Sequence, residues 1–153
     1  EKLPFADHQF DAIITRYSAH HWQNVPQALF EMHRALADGG KVVIVDVLGN
    51  SNPVLNNFLQ TIETIRDPSH VKDYSLAEWL YFAEITGFSV ATVETQKLAL
   101  NFDSWVERMH TPDTSIQVIR ALQKNCAASV RQYFEIDEAG NFSTDVIYLV
   151  LSK

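Results

Sequence analysis

Cysteine, glycine and cationic side chains are all scarce in this chain, and each shortage removes a class of function. Cys126 is the one cysteine in 153 residues, so no internal disulfide forms and nothing calls for an oxidising compartment; a cytoplasmic setting is expected. Its neighbours Lys124, Asn125, Ala127 and Ala128 read as helix, where a buried structural thiol is expected rather than a nucleophile. The five glycines never stand two positions apart, so the chain has no Gly-x-Gly turn of the kind that cradles a nucleotide. Lys and Arg number 12 against 19 Asp and Glu, a net charge of −7. No run of like charge offsets that balance locally, which argues against nucleic acid and anionic membranes as partners, since both reward clustered cations. Long hydrophobic runs are missing too. The longest apolar stretches, residues 42–48 and 146–151, fall far short of the roughly 20 residues that span a bilayer. No signal peptide is visible, and the chain enters a structured pattern directly from Glu1, as a chain cut inside a domain would.

What is present is ordinary globular composition, 46% hydrophobic and 20% charged, in a length that suits one domain with a real core. Residues 10–15, a short apolar run with polar flanks, suit a buried strand. Asn24 can cap a helix with Pro26 in its first turn, carrying Leu29, Met32 and Leu36 at helical spacing and ending at Gly39-Gly40. Residues 41–48 are rich in Val and Ile, as in a parallel strand covered on both faces. Pro53 opens a second helix with Leu55, Phe58, Leu59, Ile62 and Ile65 on one stripe, stopped by Asp67-Pro68. Ser75 and Glu78 form a capping box for a third helix that Gly87 ends. A strand over 88–95, helices over 102–109, from Pro112 and near 127–134, and a last strand over 142–151 follow. The order β-α-β-α-α-β, helices, β is an α/β architecture in one domain, with a helical insertion over 97–136.

One string is specific through its order and spacing: Glu1-Lys2-Leu3-Pro4-Phe5, Phe10-Asp11, His20-His21-Trp22, Ala28-Leu29, Glu31, Arg34, Leu36 and Gly39-Gly40. It resembles the middle of the class I S-adenosylmethionine-dependent methyltransferases typified by the ubiquinone/menaquinone C-methyltransferases. Residues 66–75, Arg-Asp-Pro-Ser-His-Val-Lys-Asp-Tyr-Ser, are similar to a subgroup of bacterial members. The resemblance covers the whole chain, strongly to about Phe88. It implies a partial Rossmann-like sheet holding strands four to seven, the last antiparallel, without the strands that carry the glycine-rich loop and the ribose-binding acid. It implies S-adenosylmethionine as cofactor, a small-molecule methyl acceptor, and a chain that is an incomplete part, inactive alone. A degenerate, non-catalytic binding or self-associating module is the alternative. Half of a nicotinamide-dependent Rossmann enzyme is disfavoured by the Leu-Pro-Phe and His-His-Trp strings. The loss of a neighbouring strand would leave residues 10–15 as a bare sheet edge and predicts a homodimer.

The same resemblance places Glu1 at the edge of the adenine site and sets Thr15, Arg16 and Tyr17 against the methionine and adenosine parts. Tyr17 or Trp22 could offer a π face to the sulfonium. In open α/β sheets ligands sit beyond the carboxyl ends of the strands, which makes 16–22 the loop that meets cofactor and substrate. There His20 and His21 can orient substrate or accept a proton, near-neutral pKa being the reason; capping the next helix or filling space beneath Trp22 is the alternative. Adjacent histidines without Cys or carboxylate neighbours are a poor metal set, so no metal is expected. Arg66, His70 and Tyr74 face the substrate by resemblance, or form a solvated loop tied by Asp67 and Asp73. Asp46, interrupting a buried strand, needs hydrogen-bond partners or a function, with nearby backbone the favoured partner. The aromatics Trp79, Phe82, Trp105, Tyr133 and Phe134 are expected in the core rather than around a pocket, and His33 and His110 at the surface.

Overall fold

In the computed structural model, which describes residues 2–153, the elements run in the expected order. They are β1 (Phe10–Arg16), α1 (Val25–Ala35), β2 (Leu36–Val47), α2 (Pro53–Arg66), α3 (Leu76–Ile85), β3 (Ser89–Leu100), α4 (Phe102–Glu107), α5 (Asp113–Asn125), α6 (Ala128–Tyr133) and β4 (Phe142–Ser152). The sheet order is β1-β2-β4-β3. β1 and β2 are parallel, and β4 runs antiparallel to both β2 and β3. The carboxyl ends of β1, β2 and β3 and the start of β4 therefore share one edge, where ligands of open α/β sheets bind.

Helices cover both faces because both faces are apolar. Alternation along β4 sends Ile147, Leu149 and Leu151 into one cluster with Leu29, Met32, Ile44 and Trp79, the face covered by α1 and α3. Leu55, Leu59 and Ile62 of α2 pack with Phe102, Trp105, Ile119, Phe134 and Phe142 in a second cluster, and α5 and α6 pack on α2. The aromatics expected in the core are there: Trp79, Trp105 and Phe134 are buried, and Phe82 and Tyr133 pack at the cluster margins.

The caps explain the boundaries. The Asn24 side chain accepts from Gln27 N at the head of α1, Asn52 caps α2, and the Ser75–Glu78 box is formed in full at α3. Four expectations are corrected. α1 ends at Ala35, not at the glycine pair, because Leu36 already turns extended to lie beside Phe10. β3 runs through Leu100, since Leu98 and Leu100 find partners in Thr144 and Phe142, so the helical insertion starts at Phe102 rather than at 97. Cys126 sits extended between α5 and α6, half-buried, its thiol donating to Gln123 O. His33 is half-buried with its ring 5.0 Å from that of Phe88, and that burial lowers its pKa. Among the described residues no helix is long and apolar enough to cross a membrane.

Candidate active site

The site begins where β1 ends. Tyr17 takes a left-handed φ of 48°, a conformation that costs a bulky residue on the order of 1–2 kcal/mol. Its N–H donates to Val45 O at 2.8 Å. The next residues fold into a 3-10 turn, Ala19–His21, and the Trp22 indole donates to Ser18 Oγ at 3.1 Å across it. Asp46, 1% exposed near the carboxyl end of β2, gathers this turn. Its Oδ2 accepts from Ser18 N at 3.1 Å and Ala19 N at 2.8 Å. Its Oδ1 accepts from Val47 N at 2.8 Å and lies 2.5 Å from His20 Nδ1. The buried carboxylate thus has both backbone partners and a histidine. Such bonds to a charged acceptor are about twice as strong as neutral ones.

Asp46 also fixes the chemistry of His20. With Nδ1–H given to the carboxylate, Nε2 is the nitrogen left to accept a proton. Burial opposes charge on the ring, but the Asp46 hydrogen bond and the fields of Asp46 and Glu63 outweigh it and raise the pKa above the ordinary histidine value. The His20 side chain keeps 13% of its surface exposed, on the wall of a cleft of about 240 Å³.

Tyr17, His20 and His21 line one side of that cleft, Glu63, Arg66 and Asp67 from the end of α2 a second, and Trp105, Arg108 and Met109 a third. Val47, Leu98, Leu100 and Thr144 form its sheet floor. Arg66 is locked in place: Nη1 donates to Glu63 Oε2 at 3.2 Å, Nε donates to Trp105 O at 2.9 Å, and the guanidinium lies 4.7 Å from the Trp105 ring centre. Burial pushes the Glu63 pKa up against the pull of Arg66, and burial pulls that of Arg66 down; each holds the other's charge in a dry place. Asp67 accepts from Ser69 N at 2.8 Å and Ser69 Oγ at 2.7 Å. Burial works against its charge, but the Ser69 bonds keep its pKa below the usual carboxylate range. His21, its side chain 33% exposed and 3.9 Å from Asp67, places Nδ1 3.1 Å from Ser69 O.

Of the residues singled out in the sequence, Tyr17, His20, His21 and Arg66 converge on the cleft, and Trp105, expected in the core rather than around a pocket, is buried and lines it as well. Thr15 is buried within β1 opposite Ile44. Arg16 is exposed, with its guanidinium 4.9 Å from the Tyr17 ring centre. Trp22 packs against the first core cluster. Glu1 lies outside the described residues. His70 stands behind the cleft with its side chain 1% exposed, Nε2 3.0 Å from Gln60 Oε1 and ring 5.7 Å from that of His20. Burial brings its pKa down to about 4, helped by repulsion from His20 and His21, so it is neutral. Tyr74 packs edge-on against Trp79 and Phe82. The stretch from 67 to 74 is anchored inward by Asp67, His70 and Asp73, which are buried, while Pro68, Ser69 and Val71 between them are exposed. Burial, with the nearby charges of Glu63 and Asp46, raises the Asp73 pKa well above the usual carboxylate range.

Glu63 was the legible omission, a carboxylate on the same i, i+4 ridge as Leu55 and Leu59. Arg108 and Thr144 reach the cleft only through tertiary packing, and no local pattern marks them. Among the described residues no group of three or more His, Cys, Asp or Glu is placed to hold a metal.

Comparison with known proteins places the fold among methyltransferases. A methyltransferase domain family matches residues 1–44. The uncharacterized protein YafE of Escherichia coli strain K12 is 44% identical over the whole chain, which spans 74% of YafE. The uncharacterized methyltransferase YcgJ of Bacillus subtilis is 37% identical over 80% of the chain and 49% of YcgJ. The crystal structure of YcgJ superposes with a TM-score of 0.93 at 30% identity, covering 99% of this chain and 67% of that one. A phosphoethanolamine N-methyltransferase of Haemonchus contortus, in complex with phosphomonomethylethanolamine and S-adenosylhomocysteine, shares the fold alone, with a TM-score of 0.56 at 14% identity over 97% of this chain and 35% of that one. With a parallel-to-antiparallel sheet of this order, a histidine-lined cleft at its carboxyl edge and relatives matched along its whole length, the chain belongs to the class I methyltransferase family.

Proposed function

We propose that these residues are the C-terminal part of an S-adenosylmethionine-dependent enzyme that methylates a small molecule, with His20 accepting the proton that the acceptor loses. The observation that carries this reading is the His20–Asp46 pair on the cleft wall: a buried carboxylate 2.5 Å from Nδ1 orients the ring and makes Nε2 the basic nitrogen. When bound, the cofactor supplies an electrophilic methyl group on a sulfonium. The residues present fit one side of such a group. Tyr17 offers a π face at the cleft, and the Arg16 guanidinium lies 4.9 Å from the ring centre. The Haemonchus enzyme with the same fold is recorded with S-adenosylhomocysteine. The five glycines provide no Gly-x-Gly turn, so the polar contacts to the nucleotide come from beyond these residues.

What this chain does is align and deprotonate. The acceptor's proton would pass to His20 Nε2 as its nucleophilic atom takes up the methyl group that the bound cofactor would supply. Arg66 and His21, fixed by Glu63 and Ser69, hold the acceptor, and the apolar walls keep water out. The strings that resemble the quinone C-methyltransferases fall within residues 1–40. That span supplies Tyr17, His20 and His21 on one wall of the cleft, while Arg66, Trp105 and Arg108 on the other walls lie outside it.

Methyl-labelled S-adenosylmethionine incubated with the native gene product and a cell metabolite extract should put label into the small-molecule fraction, and His20→Gln should reduce that by about 10²-fold or more. The 153-residue chain alone should bind the cofactor more weakly than micromolar by calorimetry, because each lost polar contact costs about 1–3 kcal/mol. Undiminished labelling by His20→Gln would remove the assigned base, and micromolar binding by the chain alone would remove the claim of incompleteness.

A further inference from the structure

We propose that the acceptor held by this cleft is an amphipathic organic anion: an apolar body against Trp105, Leu98 and Met109, with a carboxylate or like anionic group on Arg108. The proposal rests on the methyltransferase reading for its role, and on three features of the cleft for its chemistry. The first is charge. The acids of the cleft are engaged, Glu63 by Arg66 and Asp67 by Ser69, and His20 faces Asp46. Arg108 lines the same cleft, yet its guanidinium forms no ion pair or hydrogen bond among the described residues, and it stands close enough to Arg66 for the two cations to repel. In a protein of net charge −7, an unmatched cation at the mouth of an apolar cleft is a local exception to the global field, and it selects for a ligand that brings the missing anion.

The second feature is Thr144. It is 0% exposed on the floor of the cleft, and its Oγ1 has no hydrogen-bond partner. Buried hydroxyls are almost always paired, so a polar atom of the ligand is the natural partner. The third is the apolar body of the cleft, supplied by Val47, Leu98, Leu100, Trp105 and Met109. Its volume, about 240 Å³, falls just below the range of drug-sized pockets, which suits a medium-chain or single-ring molecule. A neutral apolar ligand would leave Arg108 and Thr144 unanswered, and a cationic one would meet both arginines. His20 and Arg108 approach from different sides, the loop after β1 and the turn after α4. The anionic handle and the methyl-receiving atom are therefore separate parts of the acceptor.

Octanoate and octanamide serve as probes, differing in charge but little in size. Titrated calorimetrically into the protein, octanoate should bind at least tenfold more tightly than octanamide. Arg108→Gln should remove that preference, and Arg108→Lys should keep most of it. Thr144→Val should weaken both ligands several-fold without changing their ratio, and Thr144→Ser should restore binding. Equal affinities in the unmodified protein, no saturable binding of either probe, or a preference that survives Arg108→Gln would each overturn the proposal. Labelling from S-adenosylmethionine is read separately. Label transfer without octanoate preference sinks the anion alone, and Arg108-dependent octanoate binding without label transfer sinks the methyltransferase role alone.

Discussion

Asp46 and His20 are 26 residues apart in sequence and 2.5 Å apart in space, and their coupling gives the protein a pH dependence with two opposite senses. The folded His20 pKa lies above its ordinary value of 6.5. The protonated pair therefore contributes stability that is fully present below about pH 6.5 and is lost as pH rises through the raised value. Proton acceptance needs the neutral ring, so activity grows across the same window. Methyl transfer by the intact enzyme should rise with pH through an inflection above 6.5 while the unfolding temperature falls, and His20→Gln should flatten both curves. Asp46→Asn should move the rate inflection to lower pH, because it withdraws the carboxylate that holds the proton. A pH–rate profile with matched thermal melts measures this, and an inflection below 6.5 in the unsubstituted enzyme would contradict it.

Elements deliver these residues only because two connections are tightly tied. Gly49, just past β2, forms a parallel bridge to Ser75 at the head of α3, and its N–H donates to Tyr74 O at 3.0 Å. A Cβ at Gly49 would run into the Asp73 carbonyl, a backbone atom that cannot swing aside. Gly49→Ala should therefore cost about 1–3 kcal/mol of stability, seen as a lower denaturation midpoint with unchanged m-value. It should also disturb the site, since Gln60 Oε1 binds both Asp73 N and His70 Nε2, and His70 backs His20. An alanine variant as stable as the parent would show that the two connections slide apart freely.

That tie was not legible in the sequence, whereas much around it was. Period, caps and prolines marked α1, α2 and α3 because Asn24-x-Pro26, Pro53 and Ser75-x-x-Glu78 act within a single turn. Asp46 stood out as a lone carboxylate in a Val-rich strand. Backbone was its favoured partner, but which N–H groups serve, those of Ser18 and Ala19, is invisible until β1 and β2 lie parallel. The end of β3 is hidden for a similar reason: the sequence puts the strand's end at 95 and the helical insertion's start at 97, and pairing with β4 makes 96–100 strand. Arg66, His70 and Tyr74 looked like one polar group, but burial separates them. α2 ends with Arg66 in the cleft, and the chain then dives inward, so His70 and Tyr74 pack behind it.

At the scale of the whole molecule the sheet is asymmetric. β1 and β3 are its two outer strands, each with a single partner, β1 parallel to β2 and β3 antiparallel to β4, and Ile14 in the middle of β1 is 72% exposed. Native edges are commonly blunted by proline, lysine or a bulge that turns the strand away. Residues 10–15 contain neither proline nor lysine, and the one irregularity lies at the start, between Phe10 and Ala12. Its unpaired N–H and C=O groups and bare isoleucine form a template for another chain, and the closed solution for two identical edges is a symmetric pair. We propose that the isolated 153-residue polypeptide self-associates through β1. Ile14→Lys places a charge on that edge at little cost to folding, because the side chain already faces outward. Sedimentation equilibrium at tens of micromolar should show a dimer or larger species for the unsubstituted chain and a shift toward monomer for Ile14→Lys, with similar unfolding midpoints once extrapolated to low concentration. A monomer at high micromolar concentration with cooperative unfolding would mean that twist and the Asp11 charge are enough to protect the edge. An Ile14→Lys chain that associates as strongly as its parent would move the interface away from β1.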